Sequence, residues 1–371
     1  MRYISFTLAA LLTAQLATAD EPPTIGSKPP EQEKPAASLK LGDPAPALKV
    51  TKWLQGEAVR KFDPGKIYVV DFWATWCGAC IRSMPHLAEL QDRYKDRGVT
   101  IIGFTSRDIR ENSNSEEQVT AFVKKRGPRL RYRFAYGDDD ATFDAWMKAA
   151  GHHSMPGIFV VDKTGRIAYI GGPLFLELAL LKVLAGDASA KAIGNEMAKI
   201  EADYHTLCEP INRDQKAFFQ SDPEVYFRAL KEFESKYPPL ADCLPAACFK
   251  LMLLLKQAKA GEPKDYAEKL LAKAIKGKNV FQLQMLHALL SDKKENKELM
   301  ALSVRAAEAL VRIDGGKDAY SLIRLADAYL VSGDSAKAKG YARKAIDAAA
   351  GEPAAARAEI EKEARRLGAE K

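Results

Sequence analysis

The sequence predicts two architectures in one chain of 371 residues: an α/β half built on a central mixed sheet, then an all-α half. Three observations carry this. Between Leu41 and about Gly186, β-branched and aromatic runs alternate with segments of helical spacing. Near the end of that region "GIFVVDKTGRIAYIGG" reads as two strands joined by the tight turn Asp162-Lys163-Thr164-Gly165. A closing hairpin behind alternating strands and helices implies a mixed sheet with helices on both faces. Beyond residue 187 the strand signals stop.

Taken in order, the first residues carry one positive charge at Arg2, an apolar stretch from Ile4 to Leu16, and Ala17 and Ala19 in an A-x-A arrangement before Asp20. They read as a cleaved signal peptide, residues 1–19, too short for a permanent membrane span. Residues 20–40 are rich in Pro, Glu and Lys and nearly free of aromatics, so they read as a disordered linker. An α/β domain over 41–187 follows. "KIYVVDFWA" is a buried strand after the Asp63-Pro64-Gly65 turn, and Cys80 to Tyr94 has Ile81, Met84, Leu87 and Leu90 at helical spacing. "GVTIIGFTS" is a second buried strand, "EEQVTAFVKKRG" a helix and "YRFAYG" a strand. "TFDAWMKAAG" is a helix closed by Gly151, and "LFLELALLKVLAG" ends the unit as another helix.

In 188–371, Ala-, Leu- and Lys-rich helical segments are broken at Pro223, Pro238-Pro239, Pro245, Gly261, Gly277, Gly315-Gly316 and Gly333. Ala274-Ile275, Ala309-Leu310 and Ala345-Ile346 recur about 35 residues apart, close to the ~34-residue tetratricopeptide period. Leu322, Leu325, Ala326, Tyr329, Gly333, Ala338 and Ala345 fall where two antiparallel helices would pack. The region is expected to be an all-α, helical-repeat-like domain.

Net charge is +7, with Lys and Arg interspersed among Asp and Glu, so no nucleic-acid surface stands out. The run "KKRGPRLRYR" reads as a solvated helix end and edge strand. No later stretch approaches about 18 uninterrupted apolar residues, and no cysteine sits at the cleavage point, so no stable membrane anchor is expected. The reading is an exported, periplasm-like location, where disulfides form and persist. Five cysteines follow the leader: Cys77, Cys80, Cys208, Cys243 and Cys248. A structural disulfide from Cys208 to Cys243 or Cys248 is expected in that setting.

The chemistry concentrates at "FWATWCGACIRSMP". A buried strand ending near Ala74 delivers Cys77 to the start of a helix, where unpaired N–H groups and the macrodipole favour a thiolate. A Cys-x-x-Cys at such a helix start has its first thiol pulled below about 8.5. Cys77 is therefore the expected nucleophile and Cys80 the more buried, resolving thiol. Asp71, inside the apolar strand, is expected to be a buried acid of raised pKa that takes the Cys80 proton. Pro156, after Met155, is the candidate cis-proline that leaves a backbone edge for a substrate strand. Trp73 reads as core, and Trp76 shapes the exposed face beside the nucleophile.

"VVDFWATWCGACIRSMPHLAELQDRY", with "SMPGIFVVDKTGRIAYIGG" downstream, resembles the thioredoxin superfamily and specifically the exported TlpA-like thiol-disulfide oxidoreductases. The resemblance covers about residues 41–187. It implies a thioredoxin fold, Cys77 and Cys80 as the redox couple, Pro156 in cis and Asp71 as the buried acid. It also implies protein thiols and disulfides as partners, reductant or isomerase work, a membrane electron donor, and no cofactor or metal. Ala79 stands where Pro is usual and adds a backbone donor near the thiolate, which shifts the couple in the oxidising direction. Met155 stands where smaller residues are frequent.

Three other readings have discriminating features. A peroxiredoxin-like peroxidase would need Thr or Ser three residues before its cysteine, where this chain has Ala74. A copper or zinc carrier would recruit His152 or His153 to Cys77 and Cys80. A partner-binding scaffold with a client-specific redox domain would show an apolar groove on the helical half.

Overall fold

The computed structural model describes residues 38–107, 114–213, 218, 220–240, 244–257, 261–293, 295–350, 352 and 354–369. The expected signal peptide, most of the expected linker and Cys243 lie outside the described residues.

Six strands form one sheet: β1 (Lys52–Gln55), β2 (Ile67–Phe72), β3 (Val99–Ser106), β4 (Arg133–Gly137), β5 (Gly157–Val161) and β6 (Ile167–Gly171), in the order β1-β4-β3-β2-β5-β6. β2, β3 and β4 run parallel, whereas β1, β5 and β6 add antiparallel. The central strands are apolar on both sides because both faces are covered. On one face Ile67, Val69, Ile101, Phe134 and Ile158 meet α1 (Gly78–Tyr94) and α2 (Glu116–Leu130). On the other, Tyr68, Val70, Phe72, Phe104 and Phe159 meet Trp146 and Met147, which follow the short α3 (Ala141–Phe143) in a π-helical turn, Asp144–Lys148. That second face is closed mainly by the irregular entry segment, through Leu39, Leu48, Val59 and Phe62, and only briefly by helix. Leu39 is packed there, so the last residues of the expected linker belong to the folded body.

β1 carries no strong strand signal in four residues, yet it pairs with β4 and takes the sheet edge. β4 is consequently internal, which corrects the expected edge strand. Turn chemistry elsewhere follows the sequence: Asp162 Oδ1 accepts from the backbone N–H groups of Thr164 and Arg166, while Gly165 takes φ 78°. This is the thioredoxin fold that the resemblance implied.

Among the described residues, helices then follow without interruption by strands: α4 (Leu176–Ala185), α5 (Ala190–Arg213), α6 (Pro223–Lys236), α7 (Leu244–Gln257), α8 (Glu262–Lys276), α9 (Val280–Ser291), α10 (Lys297–Asp314), α11 (Ala319–Val331), α12 (Ser335–Ala349) and α13 (Ala354–Arg366). The predicted breaks are helix ends. Pro223 opens α6 behind the Asp222 cap, Gly277 closes α8, and Gly315 closes α10 in a left-handed conformation. Asn279, Asn296, Asp318 and Asp334 cap the following helices. Helices α7/α8, α9/α10 and α11/α12 pack as successive hairpins, and α8 also touches α10. The recurring Ala274, Ala309 and Ala345 are buried in α8, α10 and α12, where a small side chain permits close approach.

The two halves share one core. α5 lies along β6, where the Tyr169 hydroxyl donates to Glu201 Oε1 at 2.6 Å. The apolar cluster beneath α1 continues through Tyr204 and Phe233 to Leu253. His86 of α1 stacks on Phe281 of α9, with ring centroids 5.6 Å apart. From α2, Arg126 pairs with Glu352 at 2.9 Å and with Asp318 at 3.5 Å, and the Lys125 ammonium donates to the Ala348 carbonyl. Lys125 and Arg126 are therefore not part of a solvated helix end. Their acidic partners lie in the same chain.

Cys208 is a buried free thiol, pushed up to about 12 chiefly by burial. This corrects the expected disulfide from Cys208 to Cys243 or Cys248. The helices around Cys208 are held by aromatic packing such as Tyr204 on Phe175 and Phe233, and need no staple.

Candidate active site

Cys77 and Cys80 are joined in a disulfide at the N-terminus of α1, with Cα atoms 5.3 Å apart. Cys77 is itself the helix N-cap, and its Sγ accepts from the Cys80 N–H at 3.2 Å. The hydrogen bond given to this sulfur thus comes from the fourth residue of the motif. A reduced Cys77 would carry its charge where helix N–H groups converge. Cys80 is fully sealed, whereas Cys77 keeps 7 % of its surface, so an incoming sulfur could meet only Cys77. Trp76 beside it is 48 % exposed, while Trp73 and Ala74 are buried.

A polar network that sequence reasoning missed sets the approach to Cys77. Asn114 Oδ1 accepts from both the N–H and the hydroxyl of Thr75, each at 2.9 Å. Its Nδ2 donates to Thr105 Oγ1 at 2.7 Å and to the Ser106 carbonyl at 2.6 Å, and the Thr105 hydroxyl donates to the Trp73 carbonyl. One buried amide therefore ties the 73–76 loop to the end of β3. In the sequence Asn114 is one more polar residue in "ENSNSEE", with nothing to single it out.

The register pairs Phe72 with Gly157, which sets Pro156 across from the chain leaving β2 towards Cys77. The Met155–Pro156 bond is cis. Met155 packs against the cluster that contains Cys77 and Cys80. His153 and Ser154 are exposed, whereas His152 is half-buried against Gly157. Burial lowers the His152 pKa, with His153 adding to the effect. Among the described residues no group of three or more His, Cys, Asp or Glu is placed to hold a metal ion.

Asp71 is completely buried on the sheet face that looks towards α1, and neither carboxylate oxygen has a hydrogen-bond partner. Burial raises it to about 7. Its neighbours explain why. Gly103 stands beside it in the parallel register and Ile158 in the antiparallel one, so no side-chain donor flanks it in the sheet. A Cβ on Gly103 would lie 3.0 Å from the Phe134 ring and 3.2 Å from Trp73 Nε1, so only glycine lets those rings close over the acid. The Tyr132 hydroxyl, also buried, is pushed well up by burial and then by the Asp71 charge. The carboxyl is thus held at the edge of ionisation near neutral pH.

A family model described as Redoxin matches residues 40–173. Protein FixW of Rhizobium leguminosarum is 37 % identical over 153 residues, covering 41 % of this chain and 69 % of that protein. The thiol-disulfide oxidoreductase ResA of Bacillus cereus (strain ZK / E33L) is 32 % identical over 133 residues, covering 35 % of this chain and 68 % of its own. The chain belongs to the TlpA-like thiol-disulfide oxidoreductases of the thioredoxin superfamily. A solved thiol:disulfide interchange protein from Bacteroides sp. is 26 % identical, covering 40 % of this chain and 93 % of its own, with a TM-score of 0.33. As a protein-disulfide oxidoreductase, the TlpA-like protein acts on protein thiols and disulfides. No helix among its described residues is long and apolar enough to cross a membrane.

Proposed function

We propose that this oxidoreductase is an exported, periplasmic reductase or isomerase of protein disulfides. Its catalytic unit is 41–187, and 188–371 is a tetratricopeptide-like partner-binding domain. In the reduced enzyme the Cys77 thiolate attacks one sulfur of a substrate disulfide, forming a Cys77–substrate disulfide and releasing the other substrate sulfur as a thiolate. Cys80 then loses its proton to Asp71 and attacks Cys77 Sγ, which forms the Cys77–Cys80 bond and releases the second substrate thiolate. The enzyme dithiol gives up two electrons and the substrate disulfide gains them; a dithiol donor at the membrane restores the enzyme. Trp76 and the Met155–Pro156 loop form the rim against which the substrate strand aligns.

The observation that carries this reading is the asymmetry of the pair: one sulfur caps the helix with some surface to solvent, and the other is sealed, with a buried acid raised to about 7 on the sheet face that α1 covers. Cys80→Ser, expressed in the native compartment, is expected to accumulate client proteins linked covalently to Cys77, released by reductant and identified by mass spectrometry. Recovery of the variant with no disulfide-linked client would count against the reading. Accumulation of a sulfenic acid at Cys77 under peroxide, in place of such links, would point to peroxidase work.

A further inference from the structure

Where β2 ends, a side chain takes over from the backbone ladder. Phe72 lies opposite Phe104 in the parallel register, and the Trp73 N–H donates to the Phe104 carbonyl at 3.2 Å. Continued by two residues, that pattern would pair the Thr75 N–H with the Ser106 carbonyl. The Asn114 amide stands between these two groups instead, accepting from the first at 2.9 Å and donating to the second at 2.6 Å. The chain leaving β2 is thus held one amide width off β3 at the point where it turns towards Cys77.

A fixed donor on one side and a fixed acceptor on the other demand an amide here, since Asp could not donate to Ser106 and Leu could do neither. Both lone pairs of its oxygen and both hydrogens of its nitrogen are used, because Oδ1 also takes the Thr75 hydroxyl and Nδ2 also reaches Thr105 Oγ1. Asn114 is 1 % exposed and Thr75 4 %, so water does not compete for these bonds. Nor is Asn114 spent on capping α2, which Ser115 and Gln118 close with a reciprocal box of their own. The amide holds the turn. In that turn the Cys77 N–H donates to the Ala74 carbonyl at 3.1 Å, with Thr75 and Trp76 as its central residues and the helix N-cap Cys77 as its last. Trp76 is largely in solvent, which leaves Thr75 as the buried foothold.

We propose that Asn114 is a positioning residue for disulfide exchange: by fixing Thr75 it holds the 74–77 turn so that Cys77 Sγ stays aligned with the N–H groups at the start of α1. This rests on exchange at Cys77 as proposed above. The Cys80 N–H meets Sγ at 3.2 Å in this geometry, and a turn free to rock loses that alignment. The thiolate then loses its stabilisation, and the thiol rises towards the free value of about 8.5.

The test uses reduced full-length wild type, Asn114→Ala, Thr75→Val and Thr75→Ser, with Cys77 alkylation by iodoacetamide followed against pH and urea unfolding alongside. Asn114→Ala is expected to raise the Cys77 midpoint by about one pH unit. Below that midpoint its mixed disulfide with a disulfide-bonded peptide should form about threefold more slowly, the tenfold loss of thiolate being partly offset by the greater nucleophilicity of a more basic sulfur. Thr75→Val, which removes one of the two bonds Oδ1 accepts, should shift the midpoint the same way by less, and Thr75→Ser, which keeps the hydroxyl, should restore it. A purely structural role would lower the urea midpoint and leave the alkylation midpoint of the folded protein in place. Wild-type alkylation midpoints in Asn114→Ala and Thr75→Val would therefore overturn the positioning role and leave exchange standing; should Asn114→Ala fail to fold, Thr75→Val decides alone. Shifted alkylation midpoints in a protein whose wild type reacts with no disulfide would overturn exchange and uphold the hold on Cys77.

Discussion

Asp71→Asn is expected to slow exchange about a hundredfold at pH 7 while making the folded protein more stable above neutral pH. A positioned base contributes roughly 10²- to 10⁴-fold, and the lower end applies because solvent can still take the Cys80 proton slowly. The loss should fall on the second step, so stopped-flow traces of the variant should show a mixed disulfide forming at the normal rate and decaying slowly. The stability effect has a definite sign. The Asp71 carboxyl is raised from 3.8 to about 7 in the folded chain, so between those values the folded state holds a proton that the unfolded state has lost. Stability then falls as pH rises across that window, by about 4 kcal/mol for a shift of roughly three units. Glu201, raised to about 7 mainly by burial and opposed by the Tyr169 hydrogen bond, adds a slope of the same sign. Urea unfolding at pH 5 and pH 8 should therefore show the wild type losing more stability than Asp71→Asn, from which the Asp71 share is gone. Equal losses in the two proteins would remove the buried-acid argument.

Arg126→Leu is expected to destabilise the chain by about 3 to 5 kcal/mol. The Arg126 and Glu352 side chains are 8 % and 3 % exposed, so the substitution leaves a carboxylate buried with only Lys125, at 3.3 Å, to answer it. That remaining cation sets the lower end of the range. Arg126→Leu/Glu352→Leu removes both charges and should recover most of the loss, because apolar groups can replace a buried pair at little cost. A single variant that unfolds at the wild-type urea concentration would mean that the seam between α2 and the helical half is not held by this network.

The catalytic sheet was legible because its strands are buried on both faces and read as uninterrupted apolar runs, as in "IYVVDF" and "VTIIGF". The helix after the cysteines and the Asp162–Gly165 turn were legible for equally local reasons. β1 was not, since an edge strand of four residues is defined by its partner β4 and not by its own composition. Of the site, Cys77, Cys80 and Asp71 stand out in sequence because a reactive pair and a carboxylate are out of place in an apolar strand and helix. Asn114 does not, because a polar residue in a loop is ordinary until the fold brings Thr75 to it. The Cys208 pairing failed for the converse reason. Compartment and cysteine count are averages over many proteins, while whether two thiols meet is decided by helix packing. The basic run misled because its neutralising carboxylates, Asp318 and Glu352, lie nearly two hundred residues or more away in sequence.

The account stands on unequal reactivity of two thiols one helical turn apart. Reduced protein, exposed to limiting iodoacetamide across pH 5 to 9 and mapped by mass spectrometry, should carry the label on Cys77 alone, with a midpoint below the free-thiol value of about 8.5. Labelling of Cys80 first, or of neither residue until the chain is unfolded, would contradict it.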